Sequence, residues 1–300
     1  MASFDDIFNA KPNKEPQSKN ENDKKPFDKD AWMKRKQQER DDAYSMMEDM
    51  AESVRDSGNI FRSYLDVQAR FDRYSVGNAL LVAAQMPEAT RLADYEYWKE
   101  NGVFVQKGEC GIILLEPGDE YKREDGSTAV SFNAKKVFDV SQTNSKTNSS
   151  RFEKKNEHAV ITALHADYAD YIKIDEDIPE NIGASYDMDT DTVYIRPGMD
   201  GDKIICVLSR ELAARSMYRN GDVENIPFKA YCVSYMVAVR TGTDVSNFNF
   251  ERLPDGYKDM DAKGIRAELA DIRDTAHELI DAMNRNLDKA KSEKNRNDAR

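Results

Sequence analysis

Ile204-Ile205-Cys206-Val207-Leu208-Ser209-Arg210-Glu211-Leu212-Ala213-Ala214-Arg215-Ser216-Met217-Tyr218-Arg219-Asn220 reads as one helix, and its centre decides how the rest of the chain is understood. Arg210-Glu211-Leu212-Ala213-Ala214 falls in the frame of the metal-binding motif H-E-x-x-H. That motif needs imidazoles at i and i+4, because this spacing turns both toward a single Zn²⁺ with the glutamate beside them as general base. Arginine is permanently charged and accepts nothing, and alanine has no donor atom. Only Glu211 survives, so the helix has the frame of a metal site without its ligands.

The flanking residues justify the comparison. Upstream, Gly183-Ala184-Ser185-Tyr186-Asp187 and Thr192-Val193-Tyr194-Ile195 flank an Asp-rich turn and read as a hairpin. Downstream, Ala230-Tyr231-Cys232-Val233-Ser234-Tyr235-Met236-Val237 read as a second helix, followed by an exit loop with Gly242, Asp244, Ser246 and Phe250. The arrangement resembles the C-terminal zincin-like domain of ArdC-type antirestriction proteins and of the LtrC-like proteins of Gram-positive conjugative elements. In those families a glutamate of the second helix is the third metal ligand, and the resemblance puts Tyr231 at its position. It implies a degenerate zincin-like metallopeptidase domain in which Arg210, Ala214 and Tyr231 stand at ligand positions beside Glu211, with no metal, no cofactor and no peptidase activity. Arg210 and Tyr231 are expected to face one another across the two helices, by cation–π contact or hydrogen bond. A groove disarmed in this way can still receive a protein partner.

The same families are resembled by a block covering about a third of the chain. It comprises Tyr74-Ser75-Val76-Gly77-Asn78, Gln85-Met86-Pro87, Ala89-Thr90, Trp98, Gly102-Val103-Phe104-Val105-Gln106-Lys107-Gly108-Glu109 and Val137-Phe138-Asp139-Val140-Ser141-Gln142-Thr143. In order and spacing these are similar to the ArdC-type N-terminal domain, which implies single-stranded DNA as a partner. The residues expected to touch DNA are Tyr74, Asn78, Trp98, Phe104 and Lys107, with Arg70 and Arg73 nearby, since bases stack on rings and cations follow phosphates. At about 1–3 kcal/mol per stacked base, two exposed rings suffice for sequence-tolerant binding. The competing reading is that Trp98 and Phe104 fill a small core beside a turn, as most aromatic side chains do. Lys107 in the Gly108 turn also suits an ordinary solvated hairpin.

Composition sets limits on these readings. The chain has 300 residues, 39% apolar and 33% charged, which suits about two soluble domains. Its net charge is −12, and residues 60–146 hold 11 basic against 13 acidic side chains. Nucleic-acid affinity depends largely on Lys and Arg at phosphates, so any DNA contact must use a local cluster on an acidic body and weaken with salt. No run approaches the roughly 20 apolar residues of a membrane span. Met1-Ala2-Ser3-Phe4-Asp5-Asp6 lacks a signal peptide's basic start and apolar core, so a cytoplasmic protein with no membrane partner is expected. Cys110, Cys206 and Cys232 suit buried free thiols, being odd in number and widely spaced. His158 and His165 have no partners at ligand spacing, and His277-Glu278-Leu279-Ile280-Asp281 begins like the zinc motif but ends in Asp on an amphipathic stripe.

The organisation follows from this punctuation. Residues 1–30 are expected to be a disordered tail, because their Pro-rich, charged composition cannot bury enough apolar surface. Helices at 31–54, 60–73 and 78–85 precede strands within 103–116, at 129–132 and at 136–140, making a single-strand-binding domain over 31–143. A Ser/Thr/Asn-rich linker over 144–155 leads to the degenerate zincin-like domain over 156–284, with a long terminal helix from Asp261, and to a charged tail over 285–300. The fold class is α+β: N-terminal helices with a small antiparallel sheet, then a mostly helical zincin-like domain with a short β-hairpin. Three functions fit. One is a non-enzymatic, antirestriction-like, single-strand-binding accessory protein of a mobile element. Another is a pseudopeptidase interaction module with a protein partner. The third is an active hydrolase, for which only Glu211 speaks.

Overall fold

A computed structural model describes residues 28–123, 125–145, 152–221 and 224–298. Residues 1–27 of the expected tail and 146–151 of the expected linker lie outside the described residues. Asp28 caps the first helix, α1 (Lys29–Asp56), by accepting the Ala31 N–H at 3.0 Å. Ala43, Met47, Ala51 and Val54, three and four residues apart, form its buried stripe. Ser57 ends α1 and caps α2 (Gly58–Arg70), and Ser75 caps α3 (Val76–Gln85), which stops ahead of Pro87.

The first sheet has the order β1 (Leu92–Ala93), β3 (Thr128–Asp139), β2 (Ile112–Lys122), all antiparallel. The two strands expected at 129–132 and 136–140 are one continuous strand, because β2 pairs along its whole length and absorbs the irregularity itself, slipping register between Pro117 and Glu120. Proline has no N–H to give a ladder, which places the slip there. No strand forms over 103–111: Gly102 and Gly108 take φ of 71° and 95°, and Val105 makes only an isolated bridge to Thr143. A helix that apolar periodicity did not reveal, α4 (Tyr95–Glu100), is capped by Asp94.

Two polar side chains dock α3 on this sheet. Asn78 donates to the Leu115 carbonyl (2.9 Å) and accepts the Leu115 N–H (2.8 Å), while Gln85 does the same with Ile113 (both 2.9 Å). The outer edge of β2 is thereby closed by side-chain amides that imitate a neighbouring strand, a common remedy for an otherwise sticky edge being some such cover.

The second half runs α5 (Glu157–Ala166), β4 (Ile172–Ile174), β5 (Ala184–Asp187), β6 (Thr192–Ile195), α6 (Gly201–Asn220), α7 (Ile226–Thr241) and α8 (Ala262–Asp298). Its sheet has the order β4-β6-β5, with β4 parallel and β5 antiparallel to β6. Gly221 (φ 89°) and Gly242 (φ 69°) end α6 and α7 in the left-handed conformation that glycine adopts without strain. The apolar core is continuous through both halves. The ring of Phe61 on α2 lies 5.4 Å from Phe228, 5.8 Å from Phe250 and 6.4 Å from Tyr257. Among the described residues, no helix is long and apolar enough to cross a membrane.

Candidate functional site

Tyr74, Asn78, Arg91, Asp94, Tyr97 and Lys135 line a shallow cleft of about 380 Å³ where α3, α4 and the first sheet meet. Tyr74 stacks on Phe71 with centroids 5.1 Å apart, and burial raises its phenol pKa, keeping it protonated. Lys135 is held between Asp94 (3.1 Å) and Glu116 (3.2 Å), whose hydrogen bonds raise its pKa. The Tyr97 N–H, together with Lys135, holds the Asp94 carboxyl below the usual range. This cation is therefore neutralised in place. Arg91 is not: its guanidinium lies over the Trp98 ring at 5.3 Å and donates to the Tyr97 hydroxyl at 3.1 Å.

Three rings are exposed in this part of the chain: Tyr97 (42%), which lines the cleft, Tyr95 (50%) two residues before it, and Phe104 (54%) on the loop after α4. Phe104 is presented by an anchored loop. Its N–H donates to the Asn144 side chain at 2.9 Å, and the Asn144 N–H returns to the Phe104 carbonyl at 2.9 Å. Lys107 stands exposed further along that loop. Rings held by backbone anchors lose little freedom on meeting a ligand.

The other residues expected at DNA are placed differently. Trp98 is 2% exposed and donates its indole N–H to the Phe138 carbonyl at 3.0 Å, so it fastens α4 to β3 and offers no face for stacking. The Asn78 amide is consumed by Leu115. Arg70 donates to the Ala89 carbonyl at 2.8 Å and to that of Pro87, tying down the exit loop of α3, and burial lowers its pKa. Arg73 is exposed, its carbonyl accepting from Arg273 at 3.3 Å. The structure thus joins Tyr74 and Asn78 in one cleft, leaves Phe104 and Lys107 exposed on a separate loop, and engages Trp98 and Arg70 with backbone carbonyls. Sequence reasoning missed Arg91, Tyr95 and Tyr97, which flank or belong to α4; the available signal was the Asp94 cap ahead of Tyr95-Glu96-Tyr97.

In the second half, Arg210 donates to Glu211 at 2.7 Å and reaches the Ile182 and Ala184 carbonyls, both at 3.3 Å. The other Glu211 oxygen accepts the Tyr186 N–H at 2.9 Å. The Gly183 carbonyl faces β6, accepting from Arg196, so alternate groups on Ala184 and Tyr186 face away from it. Arg210 and Glu211 occupy those outward groups, which are the ones an incoming peptide strand would pair with. The expected meeting of Arg210 with Tyr231 does not occur. Tyr231 accepts the Asn249 N–H at 2.7 Å and packs on Phe248 (4.9 Å) and Phe250 (5.4 Å), while Glu211 and the β5 carbonyls draw Arg210 the other way.

This donor set does not fit a metal. A guanidinium only donates, Ala214 is buried without a ligand atom, and burial raises the pKa of the Tyr231 phenol, whose oxygen is already engaged. Burial likewise pushes the thiol of Cys206, one turn before Arg210, up to about 12. Among the described residues, no three His, Cys, Asp or Glu side chains gather as metal ligands.

Residues 46–161 match the family of N-terminal domains of the anti-restriction factor ArdC. The chain carries an ArdC-type N-terminal domain. A metal-free crystal structure of the antirestriction protein ArdC from plasmid R388 is 17% identical, with a TM-score of 0.51 over 72% of this chain and 86% of that one. The Mn(II)-bound structure of the same plasmid protein gives 17% identity and a TM-score of 0.49 over 71% and 85%. No curated protein matches the chain in sequence. The likeness to the metal-free structure is one of fold, α+β. The cleft, Tyr95, Tyr97, Phe104 and Lys107 all lie inside the ArdC-type segment, whereas the first part of α1, before residue 46, lies ahead of it.

Proposed function

We propose that this protein is an antirestriction-type accessory protein of a mobile genetic element that binds single-stranded DNA in the cytoplasm and performs no peptide hydrolysis. The observation that carries the reading is the set of exposed rings of the ArdC-type domain: Tyr95 and Tyr97 on α4, with Arg91 bonded to Tyr97 at the cleft, and Phe104, with Lys107, on the loop that follows α4. Each ring can take one base at about 1–3 kcal/mol, and every base has a face to offer, so binding is tolerant of sequence. A chain of net charge −12 repels DNA elsewhere, which confines contact to such local clusters and makes affinity fall with salt. In this reading residues 31–143 form the binding unit, and a zincin-like unit over 156–284 serves as scaffold, its ligand positions filled by Arg210, Ala214 and Tyr231. A peptide partner paired along β5 is disfavoured, because Arg210 and Glu211 hold that edge closed.

Anisotropy of a labelled single-stranded oligonucleotide titrated with the full chain tests this. Binding that prefers single strands over duplex, weakens with salt, and drops about fivefold or more in Phe104→Ala at unchanged melting temperature is expected. No binding at low salt, or equal binding to duplex, overturns it.

A further inference from the structure

A second groove, of about 440 Å³, lies between the first turns of α1 and β3, lined by Trp32, Met33, Lys36, Arg40 and Asn133 among others. Cations are concentrated in the middle of this segment: Lys34, Arg35, Lys36 and Arg40 are accompanied between residues 31 and 40 by one carboxylate, Glu39, while Asp28, Asp30, Asp41 and Asp42 stand at its two ends. One of those carboxylates is neutralised on the spot: Glu39 sits 2.9 Å from Lys36 and 3.6 Å from Lys136 of β3. Arg40 donates to the Phe132 carbonyl at 3.4 Å, which braces the helix against the strand beside the partly exposed Phe132 ring. Trp32 is 44% exposed on the groove wall. The helical wall of the groove precedes the ArdC-type match, which begins at residue 46, while Asn133 and Ala134 on the opposite wall lie inside it.

We propose that this groove is a second docking site for single-stranded nucleic acid, with Lys36 and Arg40 at phosphates and Trp32 as a stacking face; the proposal rests on the single-strand-binding reading given above. The residue types decide the partner. Cations beside a ring and amide side chains match a strand that alternates phosphates with flat bases. A helix that lies on a membrane presents a wide apolar face. Over residues 29–40 the apolar side chains are only Ala31, Trp32 and Met33, and Gln37 and Asn133 bring polar amides into the groove. Lys135 and Lys136, consecutive on β3, turn to opposite sides, the first to the cleft beside α4 and the second to α1. One strand of the hairpin therefore contributes to both surfaces, Asn133 and Ala134 to the groove and Lys135 and Val137 to the cleft.

The test uses the full chain with a labelled oligothymidine long enough to span both surfaces, titrated at several salt concentrations, beside vesicles of anionic phosphatidylglycerol. Lys36→Gln combined with Arg40→Gln is expected to weaken binding roughly tenfold or more and to reduce the slope of log affinity against log salt by about 1.4, two contacts at about 0.7 each. Trp32→Ala is expected to weaken binding about fivefold to a hundredfold at unchanged salt slope. Circular dichroism stays at the wild-type value in both variants and the melting temperature stays there in Trp32→Ala, while the double variant, which loses the Arg40 bond to the Phe132 carbonyl, is compared at a temperature where its circular dichroism shows it folded. If the wild type fails to bind, the underlying reading fails and this one with it. If Phe104→Ala weakens binding while the double variant keeps wild-type affinity and slope, the second site alone is overturned. Loss of vesicle binding by the double variant with oligothymidine binding intact overturns it in favour of a lipid surface.

Discussion

Trp98 and Phe104 sit on either side of Gly102 in the same stretch of chain, yet one is sealed and the other stands out. What separates them is remote: the Phe138 carbonyl that receives the indole N–H, and the Arg91 guanidinium that covers the ring. Trp98→Phe removes the donor but keeps an aromatic ring, so the bond to the part-buried Phe138 carbonyl is lost at a cost of about 0.5–1.5 kcal/mol. Thermal melting is expected to register that loss while oligonucleotide affinity stays unchanged. The opposite pattern, intact melting with collapsed affinity, would make Trp98 a contact residue after all. Sequence carried this far and no further: Gly108 marks the turn at Lys107, but the run from Val103 reads as strand and is loop, and no local signal distinguishes an indole with a partner from one without. Arg210 is a parallel case. Its guanidinium offers no metal ligand, which its identity alone states, while its engagement with β5 depends on a hairpin more than twenty residues upstream, as the separation of 26 residues to Ala184 records.

At the scale of elements, both sheets are finished by helices. Asn78 and Gln85 lie two turns apart on an otherwise apolar α3 and close the edge of β2, and Arg210 with Glu211 on α6 closes the edge of β5. Helix periods located α2, α3, α6 and α8 from sequence, because apolar residues three and four apart state which face is buried. The same rule is silent on polar residues that face a sheet edge, such as Asn78 and Gln85. Two amides seven residues apart in an apolar helix were the available clue. Asn78→Ala and Gln85→Ala should each cost about 1–3 kcal/mol, since each strips a donor and an acceptor from a strand that has no neighbour on that side. Hydrogen exchange localises the effect: the Leu115 amide should exchange faster in the first variant and the Ile113 amide in the second. Uniform acceleration throughout the sheet in either variant would mean that the side chain supports global stability and not that edge.

At the scale of the whole molecule, composition divides the chain at residues 144–155, while packing joins what lies on either side. The Tyr235 hydroxyl on α7 donates to Asp66 at 2.7 Å and accepts from Arg62 at 3.1 Å, both on α2, and Phe61 packs into the aromatic group of Phe228, Phe250 and Tyr257. Such contacts leave no trace in local sequence, since each partner alone looks like an ordinary amphipathic position. Gly58 is the tightest point of that junction: a Cβ there would lie 1.8 Å from the Phe250 carbonyl oxygen. By backbone entropy alone Gly58→Ala at the first position of α2 should be mildly stabilising. The clash is with main chain that cannot rotate aside, so the sign reverses and a loss of about 3 kcal/mol or more is expected, at the upper end of single substitutions. Calorimetry of the wild type should show one transition, with van't Hoff and calorimetric enthalpies equal. In Gly58→Ala that whole transition should move down in temperature. Two separate peaks in the wild type would establish that the halves unfold independently and that the junction contributes little. If the single transition is found, nucleic-acid binding has to be measured on the full chain. An excised N-terminal segment would leave Phe61 without its ring partners and Asp66 without the Tyr235 hydroxyl, and its failure to bind DNA would then reflect a broken core while saying nothing of the loop that carries Phe104.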